Sequence, residues 1–156
     1  MEDLMNVASY IFNRYKNEYH TKIDEMKLHK LMYFAQRESL IQKEEPLFDA
    51  VFYGWKFGPI LKEIRSIYKE NAFYSVIPED IVKRITCIMD KVFEEYAGKD
   101  SWNLSRLTHG EYSWKNSRIG ILEGENSDNP MNIEDIRKDA KRIQKRREML
   151  AQLGLS

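Results

Sequence analysis

Apolar residues recur at helical spacing along most of the chain, and the few interruptions of that period divide it into elements. Leu4, Val7, Ala8, Ile11, Phe12 and Tyr15 predict an amphipathic helix that ends before Thr21. Asp24 can cap a second helix running to Gln42, with Leu28, Leu31, Met32 and Ala35 on its apolar face. Lys27, Lys30, Phe34 and Arg37 fall on a different stripe of the same helix, three and four residues apart. The stretch EEPLFDAVFYGWKFGPI breaks the period at Pro46, Gly54, Gly58 and Pro59, while Val51, Phe52 and Tyr53 favour extended backbone. A short strand at 50–54 could pair with a second at 73–77, FYSVI.

Pro59 suits the first position of a third helix, with Ile60 or Leu61, Ile64, Ile67 and Tyr68 inward. Pro78, followed by Glu79 and Asp80, opens a fourth, on which Ile81, Ile85, Ile88, Val92 and Tyr96 share a face until Gly98. Asp100 starts a short helix carrying Leu104 and Leu107. Thr108, His109, Gly110 and Glu111 then have capping-box spacing, predicting a restart through Tyr112 and Trp114. After the turn-rich GILEGENSDNP, a last helix begins at Asn129-Pro130 or at Asn132 and points Ile133, Ile136, Ala140, Ile143 and Leu150 inward. The expected architecture is mainly α, a compact bundle of about six or seven helices with room for one short β-hairpin, and residues 1–156 suit a single domain.

Charge adds one local feature. Lysine plus arginine and aspartate plus glutamate both number 25, so no net field draws the molecule to nucleic acid or to an anionic membrane. Residues 137–147 nevertheless hold seven basic side chains against Asp139, which leaves 18 basic against 24 acidic residues elsewhere, or −6. Lys138, Lys141, Arg142, Lys145 and Arg146 could neutralise phosphates, but residues 115–156 contain no aromatic for base stacking and no helix-turn-helix pattern accompanies them. A solvated helix face is the simpler reading.

Candidate chemistry is sparse. Cys87 lies between Ile85 and Ile88 and reads as a small buried hydrophobe. His20, His29 and His109 are far apart, and no glycine-rich phosphate loop or metal-ligand spacing is present. His109 and Glu111 resemble an acid–base couple, but no nucleophile with a local signature accompanies them. No enzyme, cofactor or metal is therefore expected. The acidic N-terminus and the lack of a long apolar run argue for a cytoplasmic location, without a membrane partner. Trp55 and Trp114, at helix edges, either complete the core or anchor a partner.

Three stretches, MKLHKLMYFAQ at 26–36, GWKFGPI at 54–60 and LSRLTHGEYSW at 104–114, resemble in order and spacing the signature blocks of the Panacea domain, also described as the SocA-like or phage-associated GepA-like domain. The resemblance covers residues 5–118, and the basic helix at 132–152 lies beyond it. Lys27, Leu28, Lys30, Leu31, Phe34, Ala35 and Gln36 match the first block, with His29 in place of a glutamine. Trp55, Gly58 and Pro59 match the second, where Gly54 and Phe57 replace alanine and tyrosine. Leu104, Ser105, Thr108, His109 and Trp114 match the third, with Ser113 in place of a proline.

The resemblance implies a non-enzymatic antitoxin of a type II toxin–antitoxin pair that neutralises a protein toxin by direct binding. One branch of the family acts as an adaptor handing its toxin to an ATP-dependent protease, so an adaptor or phage accessory role is the alternative, and weak nucleic-acid binding through the basic helix is another. On this reading the partner-binding residues are Lys27, Lys30, Phe34, Arg37, Trp55, Gly58, Pro59, His109 and Trp114. Two lysines cannot be buried unpaired without a penalty of several kcal/mol. The Lys27 to Arg37 stripe is accordingly expected to face solvent or pair with acids.

Overall fold

The computed structural model describes residues 1–155. In order, its elements are α1 (Leu4–Tyr19), α2 (Glu25–Lys43), β1 (Tyr53–Trp55), β2 (Gly58–Ile60), α3 (Lys62–Glu70), α4 (Glu79–Val92), a π-helical turn (Phe93–Ala97), α5 (Ser101–His109), α6 (Tyr112–Ser117) and α7 (Ile133–Gln152). The fold is mainly α, with one antiparallel two-stranded hairpin among the described residues.

α2 is the axis of the bundle. Asp24 caps it by accepting the Lys27 backbone N–H at 2.8 Å, and α1, α3, α4, α5, α7 and β2 all pack on it. Every residue from Lys27 to Leu40 is buried, so the helix has no solvent face in that span. Of the two expectations for the stripe of Lys27, Lys30, Phe34 and Arg37, the solvent-facing one is thereby overturned; Arg37 pairs with the acid Glu111, whereas Lys27, Lys30 and Phe34 are buried against α1, the π-helical turn and the hairpin. The surrounding helices follow the predicted faces. Val7, Ala8 and Ile11 of α1, Ile64 of α3, Ile85, Ile88, Met89 and Val92 of α4, and Ile136 and Ala140 of α7 join the α2 residues in one apolar core.

The strand pairing differs from expectation. Tyr53 pairs with Ile60 and Trp55 with Gly58, leaving Lys56 and Phe57 as a two-residue loop. Gly58 takes φ 112°, which turns the chain directly into β2, so Pro59 sits in a strand and Leu61 becomes the N-cap of α3. Segment 73–77 forms no strand. Phe73 stacks on Phe12 with centroids 4.3 Å apart, the Tyr74 N–H donates to Ser9 Oγ, and the Tyr74 carbonyl accepts from Asn13 Nδ2. α1 side chains thus satisfy backbone groups that a partner strand would otherwise take.

Two further expectations fail for reasons of packing. Cys87 is exposed, because the inward face of α4 runs through residues 85, 88, 89 and 92 and residue 87 points away from it. Thr108 and Glu111 make no capping box. Thr108 lies inside α5, where its hydroxyl donates to the Ser105 carbonyl, and the Glu111 side chain makes no cap bond. Asp139 of α7 supplies that function from another helix, accepting the backbone N–H groups of Tyr112 at 2.8 Å and Ser113 at 2.9 Å.

Candidate functional site

The three signature stretches meet at the hairpin. Four of its carbonyls accept hydrogen bonds from side chains. Arg118 donates to Gly54 O, Trp114 Nε1 to Trp55 O at 2.8 Å, Ser105 to Phe57 O at 2.6 Å, and Lys30 Nζ to Pro59 O at 3.3 Å. The Leu61 N–H, at the exit from β2, donates to His29 Nδ1 at 3.2 Å. His29 Nε2 therefore carries the ring proton and faces Glu25 at 3.0 Å. Packing enforces the same arrangement: a Cβ at Gly54 would overlap Ser117 Oγ, and one at Gly58 would overlap Thr108 Oγ1 and come within 2.9 Å of Lys30 Cε.

Beneath the hairpin lies a column of buried polar groups on α2. Lys27 Nζ donates to Tyr15 Oη at 3.0 Å and to Ala97 O at 3.1 Å. The latter carbonyl sits at the end of the π-helical turn, where the helix ladder no longer uses it. Phe34 stacks on Tyr96 with centroids 3.9 Å apart. Arg37 pairs with Glu111 and Tyr96, while Glu111 also accepts from Arg142 at 2.6 Å. Burial opposes the charge on Arg37, but Glu111 and the tyrosines outweigh it and keep the guanidinium protonated. Next along, Glu38 holds Arg147, which also reaches Glu95. These pairs make α7 part of the domain's polar interior rather than a free basic arm.

Lys30 is the anomaly in this column. It is 1% exposed, yet Pro59 O is the acceptor its ammonium has in the interior, and an ammonium carries three donors. Burial pushes its pKa from 10.5 down to about 7, only partly offset by Asp24 and Glu25. The folded chain therefore binds fewer protons than the unfolded one between those values. The cost to stability is fully present below pH 7 and is relieved as pH rises toward 10.5, by about 1.4 kcal/mol per pH unit. Lys30→Met should consequently be more stable than the parent at pH 6–7, with the gap closing toward pH 10. Denaturant melts at several pH values measure this, and a pH-independent difference would contradict the burial argument.

Two clefts flank the hairpin loop, and Lys56 and Phe57 line both. The larger, about 670 Å³, lies between the loop, α5 and the segment after α6, and includes Trp102, His109, Trp114 and Arg118. At its mouth Phe57, 41% exposed, meets Trp102, 59% exposed, edge to face at 5.2 Å. His109 stacks flat on Trp114 at 4.1 Å, and its Nε2 is buried without a partner. Burial pushes the His109 pKa down. The smaller cleft, about 310 Å³, lies on the α3 side.

Of the residues predicted to bind a partner, Trp55, His109 and Trp114 are half-buried beside the clefts. Gly58 and Pro59 are buried in β2, and Lys27, Lys30, Phe34 and Arg37 form the floor. Sequence reasoning passed over Trp102 and treated Phe57 only as a departure from tyrosine. The one signal for both was an aromatic at a turn or helix start with no inward partner in the periodicity. In α7, Lys138, Lys141, Arg142, Lys145 and Arg146 are exposed. Lys138 lies over Tyr112 and Arg142 is tied to Glu111, whereas Lys141, Lys145 and Arg146 make no ion pair among the described residues. No cluster of three or more His, Cys, Asp or Glu suited to a metal occurs among the described residues, and no helix there is long and apolar enough to cross a membrane.

The hairpin is thus clamped from three directions by a lysine-bearing central helix, a Ser/Thr/His helix and a tryptophan. The family model described as "Antitoxin SocA-like, Panacea domain" matches residues 28–115, which is 88 of the 156 residues, and the chain belongs to that family. It is also similar to the protein named Antitoxin SocA of Caulobacter vibrioides (strain NA1000 / CB15N), 35% identical over 63 residues that cover 40% of this chain and 34% of the relative. The match thus spans about a third of that relative's length. No solved structure matches the chain.

Proposed function

We propose that the chain is a non-enzymatic antitoxin of a type II toxin–antitoxin pair, and that it neutralises a protein toxin by binding it with the surface around the hairpin loop. Family membership supports the antitoxin role. The observation that carries the choice of surface is the exposed pair of Phe57, on a hairpin whose carbonyls at Phe57 and Trp55 are held by Ser105 and Trp114, and Trp102 of α5 beside it. Large aromatics that lose their remaining solvent contact are the usual energetic centres of protein interfaces. A loop already fixed in place spends little entropy on binding. Lys56, Arg106 and Arg118 around the larger cleft would orient an acidic rim on the partner.

The test is a growth assay in cells expressing the neighbouring gene, with and without this chain, followed by affinity purification. Rescue with a co-purifying toxin is expected. Toxicity that the chain neither relieves nor binds would reject the proposal. The double variant F57A/W102A should lose rescue while its unfolding free energy falls by only about 1 kcal/mol, since both side chains are largely solvated and lose chiefly each other. Growth and denaturant melts check the two halves separately, and full rescue by the variant would place the interface elsewhere.

A further inference from the structure

The smaller cleft, between α2, the hairpin and α3, holds donors that the fold itself does not use. Met26, Trp55, Phe57 and Ile60 give it apolar walls, with Lys30 and Arg65 at its polar end. At about 310 Å³ it sits at the small end of the roughly 300–1,000 Å³ typical of ligand pockets, a size suited to a side chain rather than to a cofactor. Trp55 Nε1 is buried with no hydrogen-bond partner, and Lys30, almost wholly buried, has donors to spare beyond Pro59 O. Buried donors left unpaired cost about 1–3 kcal/mol each, and two at one cleft mark a place where an acceptor belongs.

The charge balance says which acceptor. Lys30, Lys56 and Arg65 face the cleft against a single acid, Glu25. That carboxylate is already engaged by His29 at 3.0 Å and by Arg65 at 3.9 Å. Arg65 also lies over the Trp55 ring at 4.7 Å, which fixes the indole in place. A compact anion on an apolar stem meets both the donors and the walls.

We propose that this cleft is a carboxylate-binding site that receives an acidic side chain or a chain terminus from a protein partner. The proposal rests on the reading of the hairpin as the partner-facing element, and it adds the chemistry of the group that enters. Binding a carboxylate beside Lys30 favours the protonated ammonium, so occupation draws a proton onto a group otherwise half-neutral near pH 7. Above pH 7 the affinity should weaken, by up to about tenfold per pH unit. The other charged or titratable groups near Lys30 are Asp24, Glu25 and His29 around its own helix start, Lys56 of the hairpin, Arg65 of α3 and His109 of α5.

The experiment titrates the full chain with N-acetyl-glutamate amide, which offers a side-chain carboxylate, and with N-acetyl-leucine, which offers a terminal one. The readout in the parent and in Lys30→Met is the Trp55 indole N–H resonance, assigned by its loss in Trp55→Phe, and isothermal calorimetry gives the affinity of all three proteins. A saturable shift with either probe is expected at pH 6.5. It should weaken as pH rises, and Trp55→Phe and Lys30→Met should each reduce the affinity at least tenfold. The better probe identifies the source of the carboxylate. Trp55→Phe keeps the ring under Arg65 and so guards against loss of fold in the lysine variant. No saturable shift with either probe, or equal affinity in both variants, overturns the proposal. Probe binding without toxin rescue would reject the antitoxin reading and leave the site standing, whereas rescue without probe binding would do the reverse.

Discussion

Arg37→Met is expected to lower the unfolding free energy by about 3–5 kcal/mol, the largest effect of any single substitution considered for this fold. Arg37 and Glu111 are 3% and 1% exposed, and they join α2 to the α5–α6 junction. Without the guanidinium, Glu111 keeps only Arg142, whose side chain is half in solvent at 52%. Burial already pushes the Glu111 pKa up against the pull of both arginines, so the single variant leaves a carboxylate with less compensation in the same site. For a chain of this size the loss corresponds to a melting temperature lower by roughly 10 °C. The double variant R37M/E111L removes both charges and should recover much of the deficit, because the penalty lies in the orphaned partner rather than in the missing pair. Denaturant melts of the three proteins decide it. A loss below about 1 kcal/mol in Arg37→Met, or strictly additive effects in the double variant, would contradict a tightly coupled buried network.

Gly58→Ala should cost about 2–4 kcal/mol and weaken partner binding as well. Two effects combine there: φ 112° is a backbone conformation that alanine rarely adopts, and the added Cβ would meet Thr108 Oγ1 and Lys30 Cε. Gly124→Ala separates them. Gly124 has φ 83° with nothing within 4 Å of an added Cβ, so it reports backbone strain alone, about 1 kcal/mol. Equal losses in the two variants would show that the hairpin is not held against α2 and α5 as described. Relieving the overlap requires moving the loop that carries Lys56 and Phe57, which is why the same substitution should reach function.

The contrast between these interior positions and the exposed aromatics marks what sequence could and could not reveal. The amphipathic helices were legible because α1, α3 and α4 each bury one face, and helical periodicity records that directly. α2 was legible as a helix but not in its surroundings. Its Lys27, Lys30, Phe34 and Arg37 read as a stripe facing solvent or paired with acids, because single-sequence periodicity assumes that charge means water or a salt bridge. The groups that make the burial of Lys27, Lys30 and Arg37 tolerable, Tyr15, Pro59 O and Glu111, lie 12 to 74 residues away in sequence.

Turn chemistry misled in a similar way. Pro59 fits a helix start or a strand equally well by φ, and only Gly58 at φ 112°, with Trp55 opposite it, settles the strand. Glu111 had the spacing of a capping residue, but a buried arginine competes for its carboxylate and Asp139 takes over the helix start. At the candidate site, resemblance to the family located the three stretches that converge on the hairpin. It did not distinguish residues that hold the loop from residues displayed at the surface beside it. Trp114, Ser105 and Lys30 belong to the first group, and Phe57 and Trp102 to the second.

The central claim is that the displayed aromatics, Phe57 on a loop fixed from beneath and Trp102 of α5 beside it, form the toxin-binding surface. The most direct test is the affinity of the purified chain for the product of the neighbouring gene, measured by calorimetry alongside F57A/W102A. A tight complex with the parent chain is predicted, weakened at least about 100-fold in a variant that melts close to the parent, since two interface centres contribute about 2 kcal/mol or more each. Unchanged affinity in the folded variant, or no complex with the parent chain, would contradict the account.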